Sequence, residues 1–342
     1  MTVGVPGRRS TGPRRFEGSL SDGFLVPFVR ESGYRETGSR YVNRPWNRYV
    51  ARARRFENVW LVLGAVALGV LVPGPGEYAD VLVTPLVVFL IYGSLRGIEV
   101  ATVEYRSYGL VICCSLVVSY VLLPFGGIRV AGAFLTGDAL LGMAIVLAAP
   151  TTAGSAIIWT RLAGGDSEVA ALVSISSLAV APLVTPVVLS SLLDRRVAVP
   201  AETMVIDLLV IVLGGVALAV VLPDRLISDV AVDRASGLAI LCLIYSSIAS
   251  VDIGAIDPTG LAVVMALVVS LLGAGFVLVR SVGVRMGIDR STYLPLFFTA
   301  GLKNLGIALL IAFAYRSVMV VVVIVTYYVL QQLVGALIAD LA

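Results

Sequence analysis

From residue 57 onward the chain is almost entirely apolar, and it is divided into ten runs by short polar links. The runs cover roughly residues 58–73, 78–95, 108–127, 132–160, 168–193, 203–222, 234–251, 258–279, 291–314 and 317–341. At a rise of about 1.5 Å per residue, most are long enough to cross a hydrocarbon layer about 30 Å thick. They are continuous rather than alternating, which favours helices over a membrane barrel. With 58% hydrophobic residues and a mean hydropathy of +0.98, the apolar surface exceeds what a single soluble core hides. The expected fold is an all-α polytopic membrane protein with ten transmembrane helices.

The first 56 residues differ, carrying 12 arginines against four acids and no long apolar run, so no cleavable signal peptide is visible. Arg44, Arg48, Arg52 and Arg55 recur at helical spacing behind Asn43 and Pro45, interleaved with Trp46, Tyr49 and Phe56. An amphipathic juxtamembrane helix on anionic headgroups is expected there, with membrane lipid as its partner and no nucleic acid. Residues 1–56 are thus an arginine-rich cytoplasmic arm and 57–342 a transporter-like domain.

Arginine placement sets the orientation. With the arm inside, Arg96, Arg106, Arg161, Arg225, Arg234, Arg280, Arg285 and Arg290 join it, leaving Arg129, Arg195, Arg196 and Arg316 outside. That asymmetry obeys the positive-inside rule and puts both termini in the cytoplasm of a multi-pass cell (inner or plasma) membrane protein. Ten spans also divide into two halves of five, 58–193 and 203–341. An odd number per half inverts the second half, and inverted repeats predict matched helix breaks. Ala149-Pro150-Thr151-Thr152-Ala153-Gly154-Ser155 lies in the fourth run of the first half. Phe298-Thr299-Ala300-Gly301-Leu302-Lys303-Asn304 lies in the fourth run of the second. Both contain Thr-Ala-Gly. Breaks are expected near Pro150 and near Ala300-Gly301, approaching each other.

Pro150 lacks an N–H and clashes with the preceding turn, while Thr151, Thr152 and Ser155 offer hydroxyls to freed backbone groups. Two interruptions near the midplane present half-helix N-termini to an anion and carbonyls to a cation. A sealed proline kink is the plainer alternative. The second break holds Lys303, the only lysine, about 20 Å along a helix from the nearest arginines, Arg290 and Arg316. An ammonium at that depth costs at least about 2.5–3.5 kcal/mol, so it should face a partner or a watery cavity.

Histidine is absent, which excludes serine–histidine hydrolases and histidine-based metalloproteases. Cys113, Cys114 and Cys242 read as small core hydrophobes, with a soft-metal role for the vicinal pair as the alternative. No nucleophile–base pair or metal-ligand cluster is visible, so neither enzyme, cofactor nor metal is expected.

Gly142-Met143-Ala144 leading into 149–155 resembles the bile acid:sodium symporter family. Ser174-Ile175-Ser176-Ser177 followed by Ala181-Pro182-Leu183-Val184-Thr185-Pro186 does so too, and Gly301-Leu302-Lys303-Asn304 is similar to its ninth-span crossover. The chain looks like a divergent prokaryotic member over most of 58–341. The resemblance implies a panel of spans 1, 2, 6 and 7 beside a core of spans 3, 4, 5, 8, 9 and 10, with spans 4 and 9 discontinuous where they cross. Its first sodium site falls on Ser155, Ala156, Ala170 and Ser174. Its second falls on Ser119, Thr299 and Lys303, where the family has glutamine, glutamate and glutamine. The shared carboxylate is missing, and an ammonium beside a sodium ion would repel it.

The reading is a secondary transporter of a small organic anion by alternating access. Lys303 replaces sodium, and Thr151, Thr152, Ser155, Lys303 and Asn304 line the substrate site. The candidate coupling ions are a proton and Na⁺. Alternatives are a sodium-coupled symporter of an organic anion and a non-transporting membrane receptor or scaffold.

Overall fold

The computed structural model describes residues 57–74, 80–96, 105–193, 200–222, 227–249, 258–285 and 287–341. The arginine-rich arm and its juxtamembrane helix lie outside the described residues. Within them the chain is helical, and the one β-type contact is an isolated antiparallel bridge between Thr151 and Lys303.

The helices are α1 (Glu57–Leu71), α2 (Asp80–Leu95), α3 (Tyr105–Val117), α4 (Leu123–Ala131), α5 (Gly137–Ala148), α6 (Ala153–Leu162) and α7 (Ser167–Leu192). After them come α8 (Ala201–Val221), α9 (Asp229–Ala249), α10 (Pro258–Arg285), α11 (Arg290–Gly301), α12 (Leu305–Phe313) and α13 (Val318–Leu341). A π-helical turn, Val118–Leu122, joins α3 to α4 without a break.

Among the described residues, five helices are long and apolar enough to cross a membrane: the continuous Tyr108–Ala131, then α7, α8, α10 and α13. Shorter apolar stretches, α2, α5 and Arg234–Ser246 within α9, fall below that length. The run expected at 132–160 is two helices, α5 and α6, and the run expected at 291–314 is α11 and α12. Only 17% of the apolar window of α10 is buried, and α8 exposes Ile206, Val210, Leu213 and Val220. Such surfaces need lipid to cover them.

Packing sorts the helices into two sets. Helix α9 lies against both α1 and α2, and α2 against α8. In the other set α13 packs on α5, α6, α10 and α12, while α11 packs on α6, α7 and α10. Helix α7 bridges to α8, and α12 reaches α2 and α9. The close fit of α5 on α13 depends on Gly142, where a Cβ would come within 2.9 Å of Val323 Cβ and 3.0 Å of the Val320 carbonyl oxygen. The two interrupted helix pairs meet where residues 150–152 run beside 302–304.

Candidate functional site: a crossover built around Lys303

Each interruption has its own cause. Helix α5 ends because Ala149 precedes a proline, which pushes it to φ −63°, ψ 150°. Helix α11 runs through Ala300 and Gly301, the positions expected to break, and opens only at Leu302, Lys303 and Asn304. No proline follows; Leu302 is extended at φ −91°, ψ 110°, and Asn304 caps α12 by accepting from the Ile307 N–H at 3.1 Å. The glycine removes helix propensity, but the cap sets where the next helix begins.

The freed backbone groups pair across the crossing. The Thr152 N–H donates to the Leu302 carbonyl at 3.0 Å, and the Asn304 N–H to the Pro150 carbonyl at 2.9 Å. Side chains satisfy the rest. The Thr151 N–H reaches Ser177 Oγ at 3.0 Å, and Thr151 Oγ1 donates to the Thr299 carbonyl at 2.6 Å. Gln331 of α13 holds Lys303 from both sides: its Oε1 accepts from the Lys303 N–H at 2.8 Å and its Nε2 donates to the Lys303 carbonyl at 3.1 Å. Tyr327 donates to the Gly301 carbonyl at 2.9 Å. This is the accounting that low-dielectric surroundings require of an unwound segment.

Lys303 is 2% exposed and its ammonium has three oxygen partners: the Ser119 carbonyl at 2.9 Å, Ser119 Oγ at 3.0 Å and the Ala149 carbonyl at 3.2 Å. Both carbonyls are free for a reason legible in the chain. Ala149 is the C-cap of α5, so its oxygen belongs to the negative end of that half-helix. In the π turn the Leu123 N–H bonds the Val118 carbonyl, and the residue that would next serve Ser119 is Pro124, which has no N–H. The Tyr120 ring lies 5.6 Å from the ammonium, within cation–π range. Among the described residues the lysine's partners carry no negative charge.

The residues singled out from sequence therefore divide. Ser119 and Lys303 are brought together, and Thr151, Thr152 and Asn304 join them at the crossing. The Thr299 hydroxyl turns away, donating to the Pro295 carbonyl at 2.7 Å. Ser155 accepts from Gln332 Nε2 at 2.8 Å, and Ser174 donates to the Ala170 carbonyl at 2.7 Å. Ala156 and Ala170 are fully buried and offer no side-chain ligand. Of the two surroundings expected for Lys303, a partner or a watery cavity, the structure has the partners. The void beside Lys303 and Asn304 is about 10 Å³, room for one water and no organic anion.

Sequence reasoning missed Pro124, Ser177, Tyr327, Gln331 and Gln332. Pro124 inside the third apolar run, and adjacent glutamines inside the tenth, were signals that something else required their backbone and amide chemistry.

Among the described residues there is no cluster of His, Cys, Asp and Glu able to hold a metal ion, and the three cysteines are free and exposed, not core residues as expected. No curated protein matches the chain. The profile of the SBF-like CPA transporter family does match, over residues 58–342, and the chain belongs to that family of membrane transporters related to bile acid:sodium symporters.

Proposed function

We propose that this protein is a sodium-independent secondary transporter of a small organic anion, working by alternating access, in which the Lys303 ammonium takes the place of a bound cation. The observation that carries this reading is the ring of Ser119 O, Ser119 Oγ and Ala149 O around Nζ. Hard, uncharged oxygens at a half-helix C-terminus and a π turn are ligands suited to sodium, and a tethered ammonium already occupies them. Its charge has no carboxylate partner among the described residues, so the crossing carries a net positive potential that favours an anion. The lysine acts through that field and through its grip on two carbonyls, while substrate meets it when the helices part.

The reading includes ten spans in two inverted halves, 58–193 and 203–341, in a cell membrane with both termini cytoplasmic. The matched interruptions α5/α6 and α11/α12 support it. The mutual packing of α1, α2, α8 and α9 supports a panel set against the remaining helices. Alternating access is then movement of one set against the other around the crossing.

The test is uptake of a carboxylate panel into proteoliposomes, with sodium replaced by potassium and with imposed pH gradients. Uptake indifferent to sodium and lost in Lys303→Ala is expected. Lys303→Gln alone should not create sodium dependence, because Thr299 supplies no carboxylate; Thr299→Glu combined with Lys303→Gln restores both the charge and the ligands. Sodium-dependent uptake by the wild type, untouched by Lys303→Ala, would sink the reading. A pH gradient that drives uptake identifies the lysine's proton as the coupling ion, and indifference to it identifies a uniporter or exchanger.

A further inference from the structure

A cavity of about 350 Å³ lies between α2 and α8 on one side and the α12–α13 turn on the other. Its volume is within the range of small-ligand sites, about 300–1,000 Å³. Its walls carry two charges of opposite sign, Asp207 of α8 and Arg316 of the turn, and also include Thr84, Phe313 and Val321.

Both charges are in unusual places. Asp207 is exposed two turns into α8, an otherwise apolar membrane-length helix, and Arg316 is exposed in the turn. Arg316 is the only non-glycine residue with positive φ among those described, at 47°. The left-handed conformation is unfavourable for a side chain bearing a Cβ, and such strain collects at ligand sites. The Asp207 carboxylate and the Arg316 guanidinium line one cavity yet are not paired with each other, nor with another charge among the described residues. Ser317, beside Arg316, is already committed to Asp138 Oδ2 at 2.6 Å.

We infer that this cavity binds a zwitterion, an α-amino acid with an apolar side chain: its carboxylate on Arg316, its ammonium on Asp207, and its side chain against Phe313 and Val321. A plain carboxylate would satisfy Arg316 and be repelled by Asp207; an amine would meet the reverse. Only a ligand carrying both charges answers both walls. The inference rests on the transporter reading and changes its anion to a carboxylate that also bears an amine and is neutral overall.

The experiment is equilibrium binding of radiolabelled L-leucine and L-phenylalanine to the purified full chain. The competitors are 4-methylpentanoate and 3-methylbutylamine, which lack the amine and the carboxylate of leucine respectively. Wild type should prefer leucine or phenylalanine by about tenfold or more over both single-charge analogues. Asp207→Asn should bring the amino acid down to the affinity of 4-methylpentanoate without weakening the latter. Arg316→Gln should weaken both without weakening 3-methylbutylamine. Thermal midpoints of the variants establish that they fold. Failure to bind either amino acid, equal binding of 4-methylpentanoate, or an Asp207→Asn variant with unaltered preference overturns the inference. Transport of 4-methylpentanoate with no preference for the amino acid rejects the zwitterion and keeps the anion transporter; amino-acid binding without flux does the reverse.

Discussion

The two interruptions that meet at the centre are opened by different means. The first is written into its own chain: Pro150 removes an N–H, forces Ala149 out of the helical region, and leaves Thr151 and Thr152 to find partners. The second contains no proline and is held from outside, by Gln331 and Tyr327 of α13 and by an asparagine cap. One break is marked by its own local sequence and the other only by tertiary contacts. Lys303 ties them together, because it stands in the second and takes its ligand from the end of the first. Two interruptions can therefore meet in one crossing while only one of them is stated in local sequence chemistry.

The largest effect should come from the group that joins them. Lys303→Met keeps much of the side-chain volume but removes the cation, leaving the Ser119 and Ala149 carbonyls facing each other unpaired. Uptake should fall to background. Each buried acceptor stripped of its donor costs about 1–3 kcal/mol, so a lower thermal midpoint should accompany the loss. Near-normal uptake by this variant would mean that the lysine is only a filler of a polar void.

Next in size is the external support of the second break. Gln331→Leu strips the partners from both the N–H and the carbonyl of Lys303, at about 1–3 kcal/mol for each group left unsatisfied. Hydrogen bonds within membranes often prove weaker, near 0.6 kcal/mol, so the lower end is the safer expectation. Denaturation in detergent or bicelles measures it. Ser177→Ala is the matched test on the first break and should cost less, because it removes one acceptor from Thr151 while the bridge between the two segments remains. If Ser177→Ala proved the more damaging, the contrast between a self-opened and an externally opened helix would be reversed.

Smaller again is the cap. Asn304→Ala removes the acceptor for the Ile307 N–H but leaves the backbone bond from Asn304 to Pro150, at about 1 kcal/mol. The thermal midpoint reports it, and a drop as large as that of Gln331→Leu would mean that the cap, not α13, holds the second break.

How much was legible follows the same division. Pro150 marks its break to the residue, since proline acts on its immediate neighbours. Ala300 and Gly301 suggested the second break slightly early, since glycine permits an interruption without requiring one; the opening is fixed by Gln331, about 28 residues on. Lys303 was legible as a buried cation because its cost in lipid is a property of the residue. The resemblance set Ser119 beside it, but the two carbonyl partners were not legible, because the Ser119 carbonyl is freed by a proline whose meaning depends on a π turn. The ion-site set Ser155, Ala156, Ala170 and Ser174 came from resemblance, and the structure ties its hydroxyls to Gln332 and to a helix carbonyl. The opposed charges of Asp207 and Arg316 were hidden for the plainest reason, since they are distant in sequence and meet only through packing.

The smallest effect should come, against intuition, from the residue that made the first break readable. Pro150→Ala returns an N–H whose helical acceptor would be the Val146 carbonyl. To reach it, Ala149 must leave ψ 150° for a helical value, and the segment beyond must rotate with it. That rotation would break the bonds from Asn304 to Pro150, from Thr152 to Leu302 and from Thr151 to Ser177, and would draw the Ala149 carbonyl away from Lys303. Four interactions oppose the one or two helical bonds gained, so the break should survive without the proline that announces it. Alanine costs no strain in the extended conformation that Pro150 already permits, and the expected change in stability is below about 1 kcal/mol. Uptake should remain close to wild type, still indifferent to sodium. Loss of transport on the scale of Lys303→Met would show instead that the proline alone keeps α5 and α6 apart, and that the bonds across the crossing merely follow.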